Sequence, residues 1–246
     1  MNKTMERAVE VLKKAKHVTA FTGAGISVES GIPPFRGEDG IWSKYDPQVL
    51  DLDYFHSHPL ESWQVIKEIF YDYFGVAKPN AAHLAIAKLE EMGKVKAVIT
   101  QNIDNLHQEA GSRLVHEFHG NSKHLICTHC FDRSVVDETI FAHLPPKCTK
   151  CGGLLKPDFI FFGEAIPSDA YAHSVEESRK ADVFLLVGTT GEVIPASYIP
   201  QMAKRNGAII IEVNTGASSH TYNITDIHLK GKATEVMTEL LTKMNE

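Results

Sequence analysis

Helices and strands alternate in the hydrophobic pattern over most of the chain. Thr4 is a suitable N-cap for a first helix, whose apolar positions recur at helical spacing at Met5, Ala8, Val9, Leu12 and Ala15. Residues 18–22 follow as an apolar, β-branched run that predicts a buried strand. Helix and strand pairs recur at 80–92 with 95–100 and at 196–206 with 208–213, and further buried strands are predicted at 159–162 and 183–187.

Continuous apolar strands between helices are typical of a parallel sheet that is covered on both faces. The predicted fold class is therefore α/β. Ligands of such sheets bind outside the carboxyl ends of the strands. Four polar or glycine-containing strand ends are expected to converge there, at 22–25, 100–102, 188–190 and 213–214.

Two segments interrupt this alternation. Residues 31–79 carry clustered aromatic residues and several prolines, and residues 127–151 carry all four cysteines. We expect both to be insertions that pack together as a smaller lobe. The predicted boundaries are 1–30, 78–120 and 157–246 for the large domain, with 31–77 and 121–156 forming the small one.

The cysteines form two C-x-x-C pairs that predict a structural zinc site. Residues 131–147, 17 in all, separate the pairs, which is the spacing of a zinc ribbon. Four thiolates leave no open position on the metal, so the ion would stabilise a small lobe rather than catalyse. A redox pair and four unconnected core cysteines are the alternatives, and His129 is expected to be a bystander. The predicted ligands are Cys127, Cys130, Cys148 and Cys151.

Composition and charge limit the classes of partner that the protein is expected to bind. The 246 residues include 25 Lys and Arg against 31 Asp and Glu, a net charge of −6, so no basic excess favours a nucleic acid or an anionic membrane. Four cysteines are too few for a disulfide framework. No apolar run reaches the ~18 residues that span a bilayer. We expect a cytoplasmic protein.

A glycine-rich loop follows the first strand. Gly23-Ala24-Gly25 can bring backbone N–H groups close to a pyrophosphate, although Val28 stands where a third glycine would complete the usual motif. A plain tight turn is the alternative. The longer segment GAGISVESGIPPFRG, residues 23–37, carries an aromatic and a cationic side chain, Phe35 and Arg36, on what we expect to be an ordered loop over a ligand.

The other strand ends supply groups for acid–base and hydrogen-bonding chemistry. Gln101, Asn102 and Asp104 suit the carboxamide and ribose hydroxyls of a dinucleotide, with helix capping as the alternative. His119 stands beside Gly120 at the proposed junction of the lobes and is a candidate general base for a sugar hydroxyl. His116 and His107 compete with it, and spacing does not separate the three.

Taken together, these motifs resemble the sirtuin family, NAD-dependent protein-lysine deacylases of the bacterial and archaeal type. The resemblance covers nearly the whole chain. It implies a Rossmann-like NAD domain with a smaller lobe made of a helical insertion and a zinc-ribbon module. The matching segments are GAGISVESGIPPFRG, TQNIDNLH at 100–107, FHG at 118–120, the C-x-x-C pairs, FIFFGE at 159–164, GTTGEVIPA at 188–196, VN at 213–214 and GKA at 231–233.

The resemblance also implies residue roles. His119 would be the base, and Asn102 would position the reactive ribose and a water. Gln101 would meet that ribose, and Ile103 and Asp104 would hold the nicotinamide carboxamide. The other cofactor-binding residues that it implies are Gly23, Ala24, Gly25, Val28, Phe35, Arg36, Gly188, Thr189, Thr190, Asn214, Thr215 and Ala233. The residues beside an extended substrate peptide would be Ile160, Phe162, Gly163 and Glu164.

In the reaction that the resemblance implies, the acyl-lysine carbonyl oxygen attacks C1′ of the nicotinamide ribose and nicotinamide leaves. His119 then deprotonates a ribose hydroxyl, and the products are free lysine and O-acyl-ADP-ribose. NAD is a consumed co-substrate. Sirtuin relatives that prefer succinyl or malonyl groups carry a Tyr-x-x-Arg pair, and residues 69–74 contain no arginine. An acetyl group is therefore expected.

Four positions depart from the family pattern. Val28 and Pro34 are expected to affect NAD affinity more than chemistry, and Lys156 and Thr190 keep the charge and the hydroxyl usual at their positions. A protein mono-ADP-ribosyltransferase is the alternative enzyme, and a zinc-ribbon binding module that senses NAD or contacts nucleic acid is the non-enzymatic alternative. We expect a monomer that acts on acetyl-lysine proteins and contacts neither nucleic acid nor membrane.

Overall fold

The large domain is built on a six-stranded sheet in which all neighbouring strands are parallel. The structure is a computed structural model that describes residues 3–35 and 40–246. The strands of this sheet are β1 (Val18–Thr22), β2 (Val95–Thr100), β3 (Val115–Glu117), β7 (Val183–Val187), β8 (Ile209–Asn214) and β9 (Ile227–Lys230).

Strand order determines where this sheet can bind a ligand. The strands run β3-β2-β1-β7-β8-β9, so the chain proceeds outward from β1 in one direction and then resumes at β7 on its other side. This is the Rossmann order, in which the two halves of the sheet diverge at a topological switch point. The crevice at the carboxyl ends of β1 and β7 is therefore the expected nucleotide site.

Helices cover both faces of the sheet, as the continuous apolar strands predicted. One face packs against α1 (Lys3–Lys14), α4 (Ala81–Glu91) and α8 (Ala233–Met244) through a core that includes Met5, Ile86 and Leu240. The other face packs against α6 (Ser168–Lys180) and α7 (Tyr198–Arg205) through a core around Phe184 and Ile199.

The small lobe combines helices with a three-stranded antiparallel sheet. Its helices are α2 (Leu52–Ser57) and α3 (Pro59–Lys67), which a π-helical turn at Glu68–Tyr73 continues. Its strands are β4 (Gly120–Cys127), β5 (Arg133–Val135) and β6 (Leu155–Phe159), in the order β5-β4-β6. A short helix, α5 (Leu106–Glu109), lies on the chain between β2 and β3.

One hydrophobic cluster joins the two inserted segments. Trp63, which is fully buried, donates a hydrogen bond from Nε1 to the carbonyl oxygen of Leu155 at 2.8 Å. Phe55 packs edge-on against Phe161 at 5.1 Å between ring centroids, within a cluster that also contains Cys127 and Cys148. The aromatic and cysteine-containing segments therefore share a core. The domain boundaries stay a prediction.

The structure corrects one predicted strand. Residues 159–162 were expected to form a single buried strand, but β6 ends at Phe159 and Phe162 is 49% exposed. The physical reason is that the backbone changes partners. The Ile160 amide donates to the His119 carbonyl oxygen at 3.0 Å, whereas Phe162 pairs with the loop at Leu50 and Leu52.

Other elements differ from the prediction at their ends or were not predicted. The strand expected at 208–213 lies at Ile209–Asn214, and the helix expected at 196–206 is the shorter α7. Strands β3 and β9 are only three and four residues long, and α6 is mostly polar, with Ser174, Glu177 and Ser178 as its buried residues. Within the ranges that the structure describes, no helix has the length and apolar character needed to cross a membrane.

Candidate active site

The loops after β1 and β7 interlock through glycine. The Gly25 amide donates to the Gly188 carbonyl oxygen at 2.9 Å, and Gly23 donates to that of Val187 at 3.1 Å. Gly188 has a φ of +65°, and a Cβ placed on it would lie 2.3 Å from the Ile26 nitrogen. Only glycine fits there. The close backbone approach at the switch point is the feature that a pyrophosphate site requires.

The glycine-rich loop continues as two short 3-10 turns, Ala24–Ile26 and Val28–Ser30. Val28 is 42% exposed. The next residue, Glu29, accepts a hydrogen bond at Oε2 from the Thr234 amide at 3.1 Å. This bond brings the start of α8, where the predicted site residue Ala233 is buried, to the same edge of the sheet.

A chain of hydrogen bonds crosses the neighbouring strand ends. Gln101 donates from Nε2 to the Thr189 hydroxyl at 3.1 Å, and Asn214 donates from Nδ2 to the Thr189 carbonyl oxygen at 2.9 Å. The structure therefore brings together predicted residues from β2, β7 and β8. Thr190 and Thr215 are exposed beside them.

Asn102 and Asp104 are joined through Ser27, which the sequence analysis did not single out. The Ser27 hydroxyl donates to Asp104 Oδ2 at 2.6 Å, and Asn102 donates from Nδ2 to Ser27 Oγ at 3.1 Å and to the Gly23 carbonyl oxygen at 3.2 Å. Burial raises the pKa of Asp104, and the hydrogen bond from Ser27 opposes that effect. Neighbouring Ile103 is also buried.

His119 is the candidate base whose surroundings fit the role. Its Nδ1 lies 3.1 Å from the carbonyl oxygen of Gln101, which can only accept a hydrogen bond. The proton of the neutral ring is therefore on Nδ1, and Nε2 carries the free lone pair. Across residues 3–35 and 40–246, Nε2 has no hydrogen-bond partner. Burial lowers the pKa of His119, so the ring is neutral at pH 7.

The two competing histidines lie elsewhere. His107 is 1% exposed, and its Nε2 is 2.9 Å from the Thr22 hydroxyl beneath the strand ends. Burial lowers the pKa of His107 well below its ordinary value. His116 stacks on His173 of α6 at 5.2 Å, on an outer face of the sheet. Tertiary structure thus separates three histidines that spacing does not.

The four cysteines form one cluster with the dimensions of a zinc site. Their Sγ atoms all lie within 4.8 Å of one another, and the Cys127–Cys151 and Cys130–Cys148 pairs are 3.5 and 3.8 Å apart. A tetrahedral zinc ion with bonds of about 2.3 Å to sulfur requires separations of about 3.8 Å. His129 is exposed and outside the cluster.

The backbone around this cluster also fits a metal-bound thiolate. The amides of His129 and Cys130 both point at Cys127 Sγ at 3.4 Å, and the hydrogen bond from Cys130 is the main cause that lowers the pKa of Cys127 to about 6. A Cβ on Gly153 would lie 2.9 Å from the same sulfur. The four-cysteine cluster is consistent with a structural zinc ion.

Lys156 holds in place, from within the core, the part of the chain that is predicted to lie beside a substrate peptide. This part, with Ile160, Phe162, Gly163 and Glu164, is called the peptide segment below. The residue is 6% exposed, and Nζ donates to the carbonyl oxygens of Pro157 and Phe159 at 2.9 and 2.7 Å. It also forms a 2.9 Å ion pair with Glu164, whose carboxylate accepts the Phe161 amide at 2.6 Å. Glu164, expected beside the peptide, thus directs its carboxylate into the protein. Gly163, with a φ of +91°, makes the turn directly before Glu164.

The cofactor loop is described only in part. Phe35 lies 5.6 Å from the Trp42 ring and 6.3 Å from the Phe70 ring, at the edge of the small lobe. The backbone oxygen of Pro34 accepts the Ile41 amide at 2.9 Å. The predicted residue Arg36 lies outside the described residues.

These features define a class of protein. A parallel sheet of Rossmann order, close-packed glycine loops at its switch point and a neighbouring buried histidine, His119, are features of an enzyme that uses a dinucleotide. The four-cysteine cluster in the small lobe restricts this class of enzyme further.

The comparison with known proteins identifies the family. The sequence model of the Sir2 family matches residues 23–195, and the chain belongs to this family of NAD-dependent protein deacylases. It is 45% identical over 245 residues to an NAD-dependent protein deacylase of Pyrococcus furiosus, with 96% of each chain covered. It is 38% identical to an NAD-dependent protein deacetylase of Pyrobaculum aerophilum, covering 98% of this chain and 94% of that one.

Solved structures agree with this assignment. The chain is similar to a Sir2 homologue in complex with NAD, with a TM-score of 0.91 and 40% identity over 98% of this chain and 93% of that one. It is also similar, with a TM-score of 0.91 and 36% identity over 97% and 98% of the two chains, to a Sir2 protein crystallised with a deacetylated p53 peptide and 3′-O-acetyl ADP-ribose. The predicted family, fold class and NAD-dependent deacylase activity are confirmed.

Proposed function

We propose that the chain transfers an uncharged acyl group, acetyl in particular, from a protein lysine to ADP-ribose. The products would be free lysine, nicotinamide and O-acetyl-ADP-ribose. The observation that carries this proposal is the position of His119, which joins the hydrogen-bonded strand-end cluster of Gln101, Thr189 and Asn214 to the peptide segment. Its ring bonds to Gln101 of the cluster, and its carbonyl oxygen accepts the amide of Ile160.

The strand ends would hold NAD, which supplies the electrophilic ribose carbon. Backbone groups of Gly23, Ala24 and Gly25 would meet the pyrophosphate, with Val28 on the same loop. Asn102, Ile103 and Asp104 would face the nicotinamide and its ribose, and Phe35 and Arg36 would cover them. The adenosine side would contact Gly188, Thr189, Thr190, Asn214, Thr215 and Ala233. The fit rests on the glycine contacts and on the Gln101–Thr189–Asn214 hydrogen bonds.

His119 would act as the general base. Its Nε2 lone pair is available because Nδ1–H is committed to the Gln101 carbonyl oxygen. The ring would remove a proton from a ribose hydroxyl, which then takes up the acyl group. Gln101 would act at the same time as the residue that orients this base and as a ribose contact, and Asn102 would position the ribose and a water.

An acetyl-lysine peptide would lie in extended form along Ile160, Phe162, Gly163 and Glu164. Such a peptide binds by adding a strand to exposed backbone. Support comes from the change of backbone partners after Phe159 and from the half-exposed ring of Phe162, which together leave this segment at the junction of the two lobes.

The helical insertion favours an uncharged acyl group. No arginine occurs between residues 40 and 79. Lys67, next to the relevant stretch, is already paired with Asp72 at 2.7 Å. Ile69 and Phe70 are buried, and burial raises the pKa of Tyr71, whose hydroxyl stays neutral. A succinyl or malonyl carboxylate would therefore meet an apolar wall.

The test is one peptide presented with acetyl, succinyl and long-chain acyl groups, with products identified by mass spectrometry. We expect O-acetyl-ADP-ribose from the acetyl peptide and at least about tenfold lower kcat/KM for the succinyl peptide, since an unpaired buried carboxylate is costly. A preference for succinyl would overturn the acyl assignment. ADP-ribose retained on protein in place of O-acetyl-ADP-ribose would instead identify a mono-ADP-ribosyltransferase.

We further propose that the enzyme works as a cytoplasmic monomer on protein substrates. The absence of a spanning helix among the described residues is compatible with this compartment. Sedimentation at micromolar concentration should give a mass near 27.3 kDa, and a mass of twice that value would contradict the monomer.

A further inference from the structure

A cavity of about 660 Å³ lies beside the proposed peptide segment and is separate from the strand-end cluster. Its lining among the described residues is Trp42, Pro47, Gln48, Asp51 and Phe162. All but Phe162 belong to the helical insertion, and no residue from the ends of β1, β2, β7 or β8 contributes to it. The cavity therefore belongs to the peptide side of the cleft.

Two aromatic rings form walls of this cavity. The Trp42 and Phe162 ring centroids are 6.4 Å apart at an interplanar angle of 55°. Phe162 contributes a half-exposed ring, and the Trp42 side chain is only partly buried. Trp and Phe faces attract an ammonium or guanidinium group placed within about 6 Å of the ring.

A carboxylate completes the lining. Asp51 accepts the Tyr54 amide at Oδ1, at 3.0 Å, and so caps helix α2. Its other oxygen has no partner within the part of the chain that the structure describes. Charges nearby on the chain are mostly negative, since Asp46, Asp53 and Glu61 outnumber Lys44 between residues 40 and 62.

We propose that this cavity is a subsite for a cationic side chain, lysine or arginine, of the substrate protein next to the acyl-lysine. This inference rests on the proposed function, because Phe162 is shared between the cavity and the segment along which the peptide would lie. The ammonium or guanidinium would lie at the open side of the tilted Trp42–Phe162 pair, against the exposed part of the rings, with Asp51 as its counter-ion. The enzyme would then select acyl-lysines in basic sequence contexts.

The peptide experiment compares acetyl-lysine peptides that differ at a single neighbouring position. Lysine, norleucine and glutamate are placed in turn at each of the three positions on either side. At one position, kcat/KM for lysine should exceed that for norleucine by about threefold to thirtyfold. The advantage should shrink as salt is raised. If all peptides are deacetylated equally, the subsite is wrong and the proposed function stands. If none is deacetylated, the proposed function fails.

Two variants test whether the preference for lysine arises in this cavity. Asp51→Asn keeps the helix cap, because Asn caps as well as Asp, but it removes the charge. We expect it to lower the lysine-to-norleucine ratio at least threefold. Gln48→Glu adds a carboxylate to the lining and should raise the same ratio. Asp53→Asn, which changes an exposed charge outside the lining, is the matched control and should leave the ratio within about 1.5-fold.

An unchanged ratio in Asp51→Asn would overturn the assignment even where wild type prefers lysine, since the cation would then be bound elsewhere. An equal fall of the lysine-to-norleucine ratio in Asp53→Asn would show that the overall negative charge of the small lobe, rather than a specific site, favours lysine. Circular dichroism and the melting temperature of each variant check that the fold is retained.

Discussion

The imidazole of His119 and the backbone carbonyl oxygen of Gln101 are 3.1 Å apart, and this contact fixes which ring nitrogen carries the proton. Gln101 directly follows β2, so the sheet itself holds the hydrogen-bond acceptor in place. The Gln101 side chain continues to Thr189 after β7. A single residue thus links the proposed base to the switch point of the sheet.

His119→Ala should abolish most of the deacylation activity. Loss of a general base costs about 10²- to 10⁴-fold in rate. His116→Ala is the matched control, because the His116 ring stacks on His173 of α6. We expect its kcat to stay within about threefold of wild type. The opposite pattern in a steady-state assay would refute the choice of base.

The pH dependence of the activity should reflect the protonation of His119. Burial lowers the pKa of His119, and the base must be neutral to act, so activity should be lost as the pH falls through that lowered pKa. We expect log kcat/KM to rise with pH, to bend below pH 6.5 and to be flat at neutral pH. An acid limb that bends above pH 7 would contradict a buried, neutral His119.

Lys156→Met tests how the peptide segment is held. Methionine keeps the apolar stem but lacks Nζ, so the Pro157 and Phe159 carbonyl oxygens lose this donor and Glu164 loses its ion-pair partner. We expect a cost of about 1–3 kcal/mol in the free energy of unfolding. We expect KM for the peptide to rise about threefold to tenfold while KM for NAD changes less than twofold.

Lys156→Arg is the conservative control for that variant, since it restores the charge and the donors. It should recover most of the peptide KM. If KM for NAD rises as much as KM for the peptide, Lys156 supports the whole cleft rather than the peptide segment, and the assignment is wrong.

Gly188→Ala tests the close approach of the two loops. A methyl group there would lie 2.3 Å from the Ile26 nitrogen and would be strained at a φ of +65°. We expect a loss of more than about 2 kcal/mol of stability by urea unfolding, together with weaker NAD binding. Gly75→Ala meets nothing within 4 Å and should change stability by less than about 0.5 kcal/mol. Equal effects of the two substitutions would contradict the interlocked loops.

Zinc should be present at one ion per chain. Cys148→Ala should lose the ion and several kcal/mol of stability, because metal binding contributes folding free energy to a small lobe. His129→Ala is the matched control, because that side chain is exposed and outside the cluster. Elemental analysis that finds no zinc in wild type, or loss of zinc in His129→Ala, would overturn the four-cysteine site.

The sequence predicted those features that depend on local pattern. The apolar runs identified β1, β2 and β7 at their observed residues, and the spacing of the C-x-x-C pairs identified the cysteine cluster. Helix α6 could not be predicted in this way. Its buried residues are Ser174, Glu177 and Ser178, and its apolar contribution to the core is the partly buried Val175, so the sequence shows no continuous apolar stripe.

Features that depend on tertiary contacts could not be predicted from the sequence pattern. Ser27 lies within the glycine-rich loop, but only its contacts with Asn102 and Asp104 show that it organises the site. Glu164 looks like a surface carboxylate in the sequence, and its inward direction depends on its ion pair with Lys156 of β6. The cavity at Trp42 and Phe162 likewise unites residues 120 positions apart.

The central claim is that one cleft couples cleavage of NAD to removal of an acetyl group from lysine. The most direct measurement is the rate of nicotinamide release from NAD with and without an acetyl-lysine peptide, using the unacetylated peptide as control. Release that requires the acetylated peptide, in a one-to-one ratio with deacetylated product, is the predicted result. Equal release with and without that peptide would contradict it.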